Sequence, residues 1–196
     1  MIKVVGIIGS PRREGNTERL LDRFLAGAED AGGQVSKVAV AGLGIEGWTP
    51  EVECPDDAQQ KPVDDFQPVA RGLVAADVIA VASPVYFRNV PAQLKAVIDR
   101  SQCQWLRKYV DKKPLSVTAA GHDRRRGAFI SVGGNFREHF AGTIQTVKSF
   151  FDVYEADYWG ELIFKNVEVM KEIDEEPLAY QEAYDLGFRA VSESWG

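Results

Sequence analysis

A loop rich in glycine and short polar side chains, Gly9-Ser10-Pro11-Arg12-Arg13-Glu14-Gly15-Asn16-Thr17, separates an apolar run from an amphipathic segment. The apolar run predicts a strand and the amphipathic segment predicts a helix, so the loop opens onto a helix N-terminus. Unpaired N–H groups and the positive end of the helix dipole make such a junction an anion site. Glycine allows close backbone approach, and arginine adds positive charge. The loop therefore predicts a phosphate-binding site.

The kind of phosphate is narrowed by what the loop lacks. A Walker A loop needs Lys followed by Ser or Thr after its second glycine, and Asn16 stands where that Lys would be. Gly6 and Gly9 do not have the spacing of the dinucleotide-binding fingerprint. A terminal monophosphate bound without metal fits best, and FMN carries one. The structural alternative is a turn capped by Asn16 or Thr17, with solvated arginines.

A second loop, Ser83-Pro84-Val85-Tyr86-Phe87, follows another buried apolar run. Pro84 and Val85 stiffen the backbone, so that N–H groups can point at the heteroatoms of a ring. Tyr86 and Phe87 can stack on a three-ring flavin or enclose it, although core packing is the alternative for such aromatic residues. Gly133-Gly134, after a later apolar run, allows a third close backbone approach. Together these loops favour FMN as the ligand.

Alternating strands and helices must position these loops. The predicted strands are Ile2–Ile8, Val35–Val40, Asp77–Ala82, Ala128–Val132 and Tyr158–Phe164. The predicted helices are Thr17–Ala31, Phe66–Ala76, one that starts near Pro91, Phe140–Asp152 and Leu178–Ser192. This alternation predicts an α/β fold with a five-stranded parallel sheet in the order 2-1-3-4-5. Its switch point lies between strands one and three, where ligands bind at the carboxyl ends of strands.

Length and charge set the wider expectations. The 196 residues predict a single domain, 1–196, with a long loop at 41–65, an insertion at 107–127 and a C-terminal arm and helix at 165–196. A net charge of −6 disfavours nucleic acid and acidic membranes as partners. The sequence has no apolar run of the roughly 18 residues that a membrane span needs, so we expect a cytoplasmic protein.

Other residues with chemical potential receive structural interpretations. Cys54 and Cys103 could form one disulfide, but two cysteines do not make a disulfide-dense secreted chain, so we expect free thiols. Neither belongs to a Cys-x-x-Cys pair, so we expect no zinc site. His122 and His139 lie outside both loops and are predicted to be solvated or packed. The acid pairs Asp56-Asp57 and Asp64-Asp65 are predicted to be solvated or helix-capping acids rather than metal ligands. Arg124–Arg126 is predicted to be a solvated surface run, with binding of a nucleotide phosphate or of an acidic partner as the alternative.

The order and spacing of the two loops resemble the NAD(P)H-dependent FMN reductase group of flavodoxin-like proteins, which includes the iron–sulfur flavoproteins. The matching stretches run from Gly9 to Thr17 and from Ser83 to Lys95, continue into Ile98-Asp99-Arg100, and lie within a likeness that spans about Met1 to Asp152. The resemblance implies a flavodoxin-like three-layer sandwich that binds FMN non-covalently. It also implies a homodimer or homotetramer with the flavin near a subunit interface. The loop at 41–65 holds only Cys54, and a cluster usually needs four thiolates, so we expect no iron–sulfur cluster.

The function implied is an FMN-dependent oxidoreductase that passes electrons from NADH or NADPH to a quinone, a flavin or a similar small-molecule acceptor. The flavin performs the chemistry, so we predict no catalytic side chain and no metal. The alternatives are a flavodoxin-like electron carrier without its own small-molecule substrate, and a flavin-binding subunit without turnover. The predicted cofactor-binding residues are Ser10, Arg12, Gly15, Asn16, Thr17, Pro84, Val85, Tyr86, Phe87, Asn89, Ser131, Gly133 and Gly134.

Overall fold

The computed structural model describes residues 1–49, 64–134, 139–167, 169 and 172–195. Its strands are β1 (Lys3–Ile8), β2 (Gln34–Ala39), β3 (Val78–Pro84), β4 (Arg125–Gly133) and β5 (Ala156–Lys165). Its helices are α1 (Asn16–Asp30), α2 (Phe66–Ala75), α3 (Ala92–Arg100), α4 (Gln102–Trp105), α5 (Ala141–Val153) and α6 (Ala179–Ser192), with short 3₁₀ turns at Val40–Gly42 and Glu172–Glu175. No helix of these described residues is long and apolar enough to cross a membrane.

The five strands form one parallel sheet in the order β2-β1-β3-β4-β5, which confirms the predicted topology. Ile8 pairs with Ala82, and Pro84 pairs with Val132, so the carboxyl ends of β1, β3 and β4 lie side by side. The Gly9 N–H continues the pairing by donating to the Ala82 carbonyl oxygen at 2.8 Å. The loops that follow these three strands therefore start from one edge of the sheet.

Helices cover both faces of the sheet because its inner strands are apolar on both faces. Alternate residues of β1 and β3, such as Ile7 and Val81, pack in a buried cluster with α2, α3 and α5. The intervening residues, such as Ile8 and Ala82, pack in a second cluster with α1 and α6. The resulting three-layer, flavodoxin-like α/β sandwich is the predicted fold class.

Two glycines let α1 and α6 approach until their backbones touch. A Cβ added at Gly187 would lie 1.9 Å from the Phe24 carbonyl oxygen, and one at Gly27 would lie 2.1 Å from the Tyr184 carbonyl oxygen. Side chains at these positions would hold the helices apart. The loop predicted to bind phosphate runs directly into α1, so this packing also supports the base of the loop.

The segment predicted as an insertion, 107–127, has regular structure at both ends, so the predicted start of the fourth strand at Ala128 is wrong. Leu106–Val110 continues α4 as a π-helical turn, and β4 begins at Arg125 rather than at Ala128. The three arginines look like a surface run in the sequence. In the fold, two of them occupy the first positions of a buried inner strand.

Candidate functional site

A cavity of about 190 Å³ opens at the carboxyl ends of β1, β3 and β4. Its walls come from the three loops that the sequence singled out and from the chain just after β5. The lining residues are Ser10, Arg12, Gly15, Asn16, Thr17, Pro84, Val85, Tyr86, Val132, Gly133, Gly134 and Val167. The fold therefore brings the predicted phosphate loop, the Pro84–Tyr86 segment and the glycine pair after β4 to one place.

The first wall of the cavity is the uncapped start of α1. The helix begins at Asn16 after Gly15, and no side chain caps it. Gly15, Asn16 and Thr17 line the cavity, so the unpaired N–H groups of the first turn and the positive end of the helix dipole adjoin it. A Cβ at Gly15 would lie 3.3 Å from the Arg12 carbonyl oxygen and 3.8 Å from Ser10 Oγ. Because Gly15 has no side chain, the loop leaves a small space next to Arg12 and Ser10, which we call the cradle.

Hydrogen bonds hold the bend of this loop. The Arg12 N–H donates to Ser10 Oγ at 3.1 Å, and the Glu14 N–H donates to Glu18 Oε2 at 2.7 Å. Glu14 lies in the left-handed region with φ of 54°. Partial burial raises the pKa of the Glu18 carboxyl, but hydrogen bonds from Lys37 and from the Glu14 N–H lower it overall. Glu18 is therefore ionised at neutral pH, and its charge-assisted bond steadies the bend.

The polar side chains of the loop differ in exposure. Ser10, Asn16 and Thr17 are buried, whereas Arg12 is exposed at the rim. No ion pair links the Arg12 guanidinium to another of the described residues, so its charge is available to an anion in the cavity. Asn16 Nδ2 donates to the Val169 carbonyl oxygen at 2.7 Å, while Asn16 Oδ1 is buried and has no partner in the described part of the chain.

The loop after β3 is a tight reversal. Tyr86 and Asn89 exchange backbone hydrogen bonds of 2.8 and 2.9 Å, and Phe87 and Arg88 between them have φ of 50° and 63°. Two left-handed central residues define a type I′ turn. The N-terminal turn of α5 packs against it, since a Cβ at Gly142 would lie 2.3 Å from the Arg88 carbonyl oxygen. The turn is thus fixed on a rigid support.

Three predicted residues do not line the cavity. The type I′ turn directs Phe87 outward, and its side chain is fully exposed. Asn89 closes the turn and uses its Oδ1 to accept from the Val90 N–H at 2.8 Å. Ser131 lies inside the sheet, where its hydroxyl donates to the Ser83 carbonyl oxygen at 2.7 Å. Their cofactor contacts stay predictions.

Two lining residues were missed by the sequence analysis. Val132 is the apolar residue of β4 before Gly133, and nothing in its residue type separates it from the other core residues of that strand. Val167 follows β5, and its N–H donates to the Gly133 carbonyl oxygen at 3.3 Å. The sequence around Val167 has no periodicity that could have placed it beside the phosphate loop.

The arginine run is not a free surface, which corrects both readings of Arg125 and Arg126. Arg125 is 1% exposed and donates to the carbonyl oxygens of Val74, Ser116 and Tyr154. Arg126 donates to the carbonyl oxygens of Ala190, Glu193 and Ser194, and its guanidinium lies 4.1 Å from the centre of the Trp195 ring. Burial lowers the pKa of both groups. Only Arg124 faces solvent, where it pairs with Asp157.

Several other predictions have structural outcomes. Cys103 is disulfide-bonded, which corrects the expectation of a free thiol, and Cys54 lies outside the described residues. His122 is packed, since its ring stacks on Trp195 with centroids 4.0 Å apart. Asp64 accepts a hydrogen bond from the N–H of Phe66, the first residue of α2, at 3.0 Å, which agrees with the predicted helix-capping role, and it also forms an ion pair with Arg100. Asp56-Asp57 also lie outside the described residues, among which no three His, Cys, Asp or Glu side chains are grouped to hold a metal.

Sequence comparison identifies a protein family and several named relatives. The model of the family "NADPH-dependent FMN reductase" matches residues 2–156. An iron–sulfur flavoprotein of Methanocaldococcus jannaschii is 30% identical over 153 residues, which cover 78% of this chain and 73% of that protein. An FMN-dependent NADH:quinone oxidoreductase of Polaromonas naphthalenivorans is 32% identical over 108 residues, covering 52% of this chain and 50% of that protein. Among the iron–sulfur flavoproteins matched, the chain spans between 45% and 74% of their own length.

Solved structures share the fold at low sequence identity. The NAD(P)H:quinone oxidoreductase from Methanothermobacter marburgensis superposes with a TM-score of 0.64 over 99% of both chains, at 14% identity. This likeness supports the three-layer arrangement and the strand order.

Proposed function

We propose that the cavity binds FMN and that the protein passes electrons from NADH or NADPH to a quinone, a flavin or a similar acceptor. The premise is that the chain belongs to the NADPH-dependent FMN reductase family and is therefore an oxidoreductase. The observation that carries this proposal is the uncapped start of α1 at the cavity shared by the ends of β1, β3 and β4. A terminal phosphate fits a helix N-terminus whose first N–H groups have no cap.

The residues present fit the two ends of FMN. The uncapped start of α1 and the rim guanidinium of Arg12 suit the phosphate, because both present positive charge to the cavity, and Gly15 leaves room between them. Pro84, Val85 and Tyr86 offer a stiff, partly aromatic wall that suits a planar ring. Gly133 lies beside this wall, since a Cβ there would be 3.5 Å from Val85 Cβ, and Gly133 and Gly134 line the cavity without side chains of their own. The absence of an iron–sulfur cluster stays part of the proposal.

When bound, FMN supplies the two-electron redox chemistry, and the chain supplies position and electrostatics. The α1 N-terminus and Arg12 would hold the phosphate end, and Pro84, Val85 and Tyr86 would form the wall beside the ring. We assign no catalytic acid or base to the chain, since the reaction needs none beyond the cofactor.

Spectroscopy on the purified protein loaded with FMN tests the reductase activity. We expect rapid bleaching of the flavin absorbance by NADH or NADPH, followed by reoxidation on addition of a quinone. Slow reduction by both nucleotides would favour the alternative of an electron carrier without its own substrate. A protein that does not take up FMN would refute the cofactor assignment itself.

A variant of the cradle tests the phosphate site separately. Gly15→Ala places a methyl group inside the loop, so we expect FMN binding to weaken about tenfold, the equivalent of one charge-assisted hydrogen bond, and riboflavin binding to change less than about twofold. Gly42→Ala is the matched control, because a Cβ there meets nothing within 4 Å. Equal losses for both ligands would show that the loop does not hold the phosphate.

The sequence-based expectations of a cytoplasmic location and of a homodimer or homotetramer are part of this proposal. Light scattering tests the oligomeric state.

A further inference from the structure

Described residues between β5 and α6 contact the predicted phosphate loop, residues 9–17, and the start of α1, and we call the residues Asn166, Val167, Val169 and Glu172–Glu175 the strap. At its start, Val167 lines the cavity and bonds to the end of β4. Further along, the Val169 carbonyl oxygen accepts the hydrogen bond from Asn16 Nδ2 at 2.7 Å. The strap therefore touches both the cavity and the first residue of α1.

The Asn16 amide is committed to this contact. An exchange of its oxygen and nitrogen would bring two acceptor oxygens to 2.7 Å, so the donor must face Val169. Asn16 is 8% exposed, and its Oδ1 has no partner among the described residues. One role of this side chain is thus to join the strap to the start of α1.

A second link reaches the bend of the loop. Asp174 in the strap accepts from Arg19 Nη1 at 3.1 and 3.2 Å and from the Tyr180 hydroxyl. Arg19 Nε in turn donates to the Glu14 carbonyl oxygen at 3.2 Å. Glu14 is the left-handed residue of the loop, and its N–H is held by Glu18. Its peptide groups are therefore fixed on both sides, one of them through the strap.

The geometry of Arg19 makes it a connector rather than a ligand. Arg19 and Asp174 are absent from the cavity wall. The hydrogen bond to Tyr180 is the main reason why the pKa of the Arg19 guanidinium is raised, and attraction to Asp174 adds to it. The charge of Arg19 is therefore engaged on the strap side. A hydrogen-bonded route thus runs from Tyr180 through Asp174 and Arg19 to the carbonyl of Glu14.

We infer that the strap sets the shape of the phosphate loop, with Asp174 and Arg19 as positioning residues that determine how strongly the protein prefers FMN over riboflavin. This inference rests on the proposed binding of FMN. Left-handed backbone at a non-glycine residue is unfavourable by itself and needs surrounding contacts to persist. Loss of the Asp174 carboxylate frees Arg19, which then releases the Glu14 carbonyl. The loop relaxes, and its N–H groups no longer converge on a phosphate.

The test compares two ligands on the FMN-free full-length protein. We expect Asp174→Asn to weaken FMN binding about threefold and to leave riboflavin binding unchanged, because the Arg19–Asp174 pair is partly exposed and only FMN carries the phosphate. Asp185→Asn is the control, since this carboxylate lies on α6 and bonds to Gln181 at 2.8 Å. Binding is measured by quenching of flavin fluorescence, and thermal unfolding is followed in parallel. A merely structural role would lower the unfolding midpoint without changing the FMN-to-riboflavin ratio.

Two further variants make the result decisive. Tyr180→Phe removes one hydrogen bond to Asp174 and keeps the ring, so it tests the same route with a smaller selective loss if Asp174→Asn does not fold. Arg19→Met combined with Asp174→Asn should weaken FMN no more than the single changes do, because both break one route. Equal losses for FMN and riboflavin, or fully additive losses, would overturn the inference. A wild-type protein that binds both ligands equally would instead refute the proposed function.

Discussion

The close packing of α6 on α1 makes Gly187→Ala a sharp test of the fold. The new Cβ would lie 1.9 Å from the Phe24 carbonyl oxygen and 2.7 Å from its carbonyl carbon. The first distance is about 1.5 Å short of the 3.4 Å at which ordinary contact begins. Both opposing atoms belong to the backbone of α1, so they cannot swing aside as a flexible side chain would.

Two effects of opposite sign decide the magnitude. Alanine is favoured over glycine in a helix by about 1 kcal/mol. Overpacking of a well-packed interface costs about 1–3 kcal/mol, and occasionally more when the backbone must move. Here the helices must separate, which loosens neighbours such as Leu186 and Ala183 that are now buried. We therefore expect a net loss of about 2 kcal/mol in the free energy of unfolding, or about 4–8 °C in Tm.

Urea unfolding followed by tryptophan fluorescence measures this loss. Gly72→Ala in α2 is the matched control, because nothing lies within 4 Å of a Cβ there. Without a clash, only the helix preference acts, and we expect a gain of about 0.5–1 kcal/mol. A Gly187→Ala protein as stable as the Gly72→Ala protein would refute the backbone contact between α1 and α6.

Three further outcomes are expected. Arg125→Met should lower the free energy of unfolding by about 3–5 kcal/mol in urea titrations, because three buried carbonyl oxygens lose their donor, whereas Arg124→Met at the exposed pair should change it by less than about 1 kcal/mol. The pKa of Glu18 in the folded chain lies below its ordinary value of 4.5. The contribution of Glu18 to stability is therefore present above pH 4.5 and is lost as the pH falls through the folded pKa. Glu18→Gln should reduce this loss of stability in acid titrations followed by circular dichroism. Replacing Phe87-Arg88 by Asn-Gly should raise Tm by relieving about 1 kcal/mol or more of left-handed strain, and an unchanged or lower Tm would argue against the type I′ turn.

The sheet was predictable because its strands carry local signals. Runs such as Ile2–Ile8 are apolar on both faces, which is typical of inner parallel strands, and β1 differs from this run by one residue. The start of β4 was not predictable. Arg125 and Arg126 are tolerated in a buried strand only because backbone carbonyls from distant parts of the chain accept their hydrogen bonds. No local pattern announces such acceptors.

The candidate site was likewise predictable only in part. The sequence could place Ser10, Gly15 and Thr17, because a loop that joins a buried strand to a helix must end at the helix N-terminus. Phe87 was expected to wall the cavity, but its direction depends on the left-handed turn, and its residue types give no sign of such a turn. Val167 reaches the cavity only through the path of the strap, which is a property of the tertiary fold.

The walls of the cavity come from widely separated parts of the chain, from Ser10 after the first strand to Val167 after the last. During folding or synthesis, the cavity is incomplete until β5 has joined the sheet and the strap has crossed the loop. A ligand that needs all these walls binds the native state alone, and at about one hundred times its Kd it adds about 2.7 kcal/mol to the stability of the whole chain. Occupancy of this site would therefore report that β1, β3, β4 and β5 have assembled. It would also protect the loops at the carboxyl ends of these four strands from local opening.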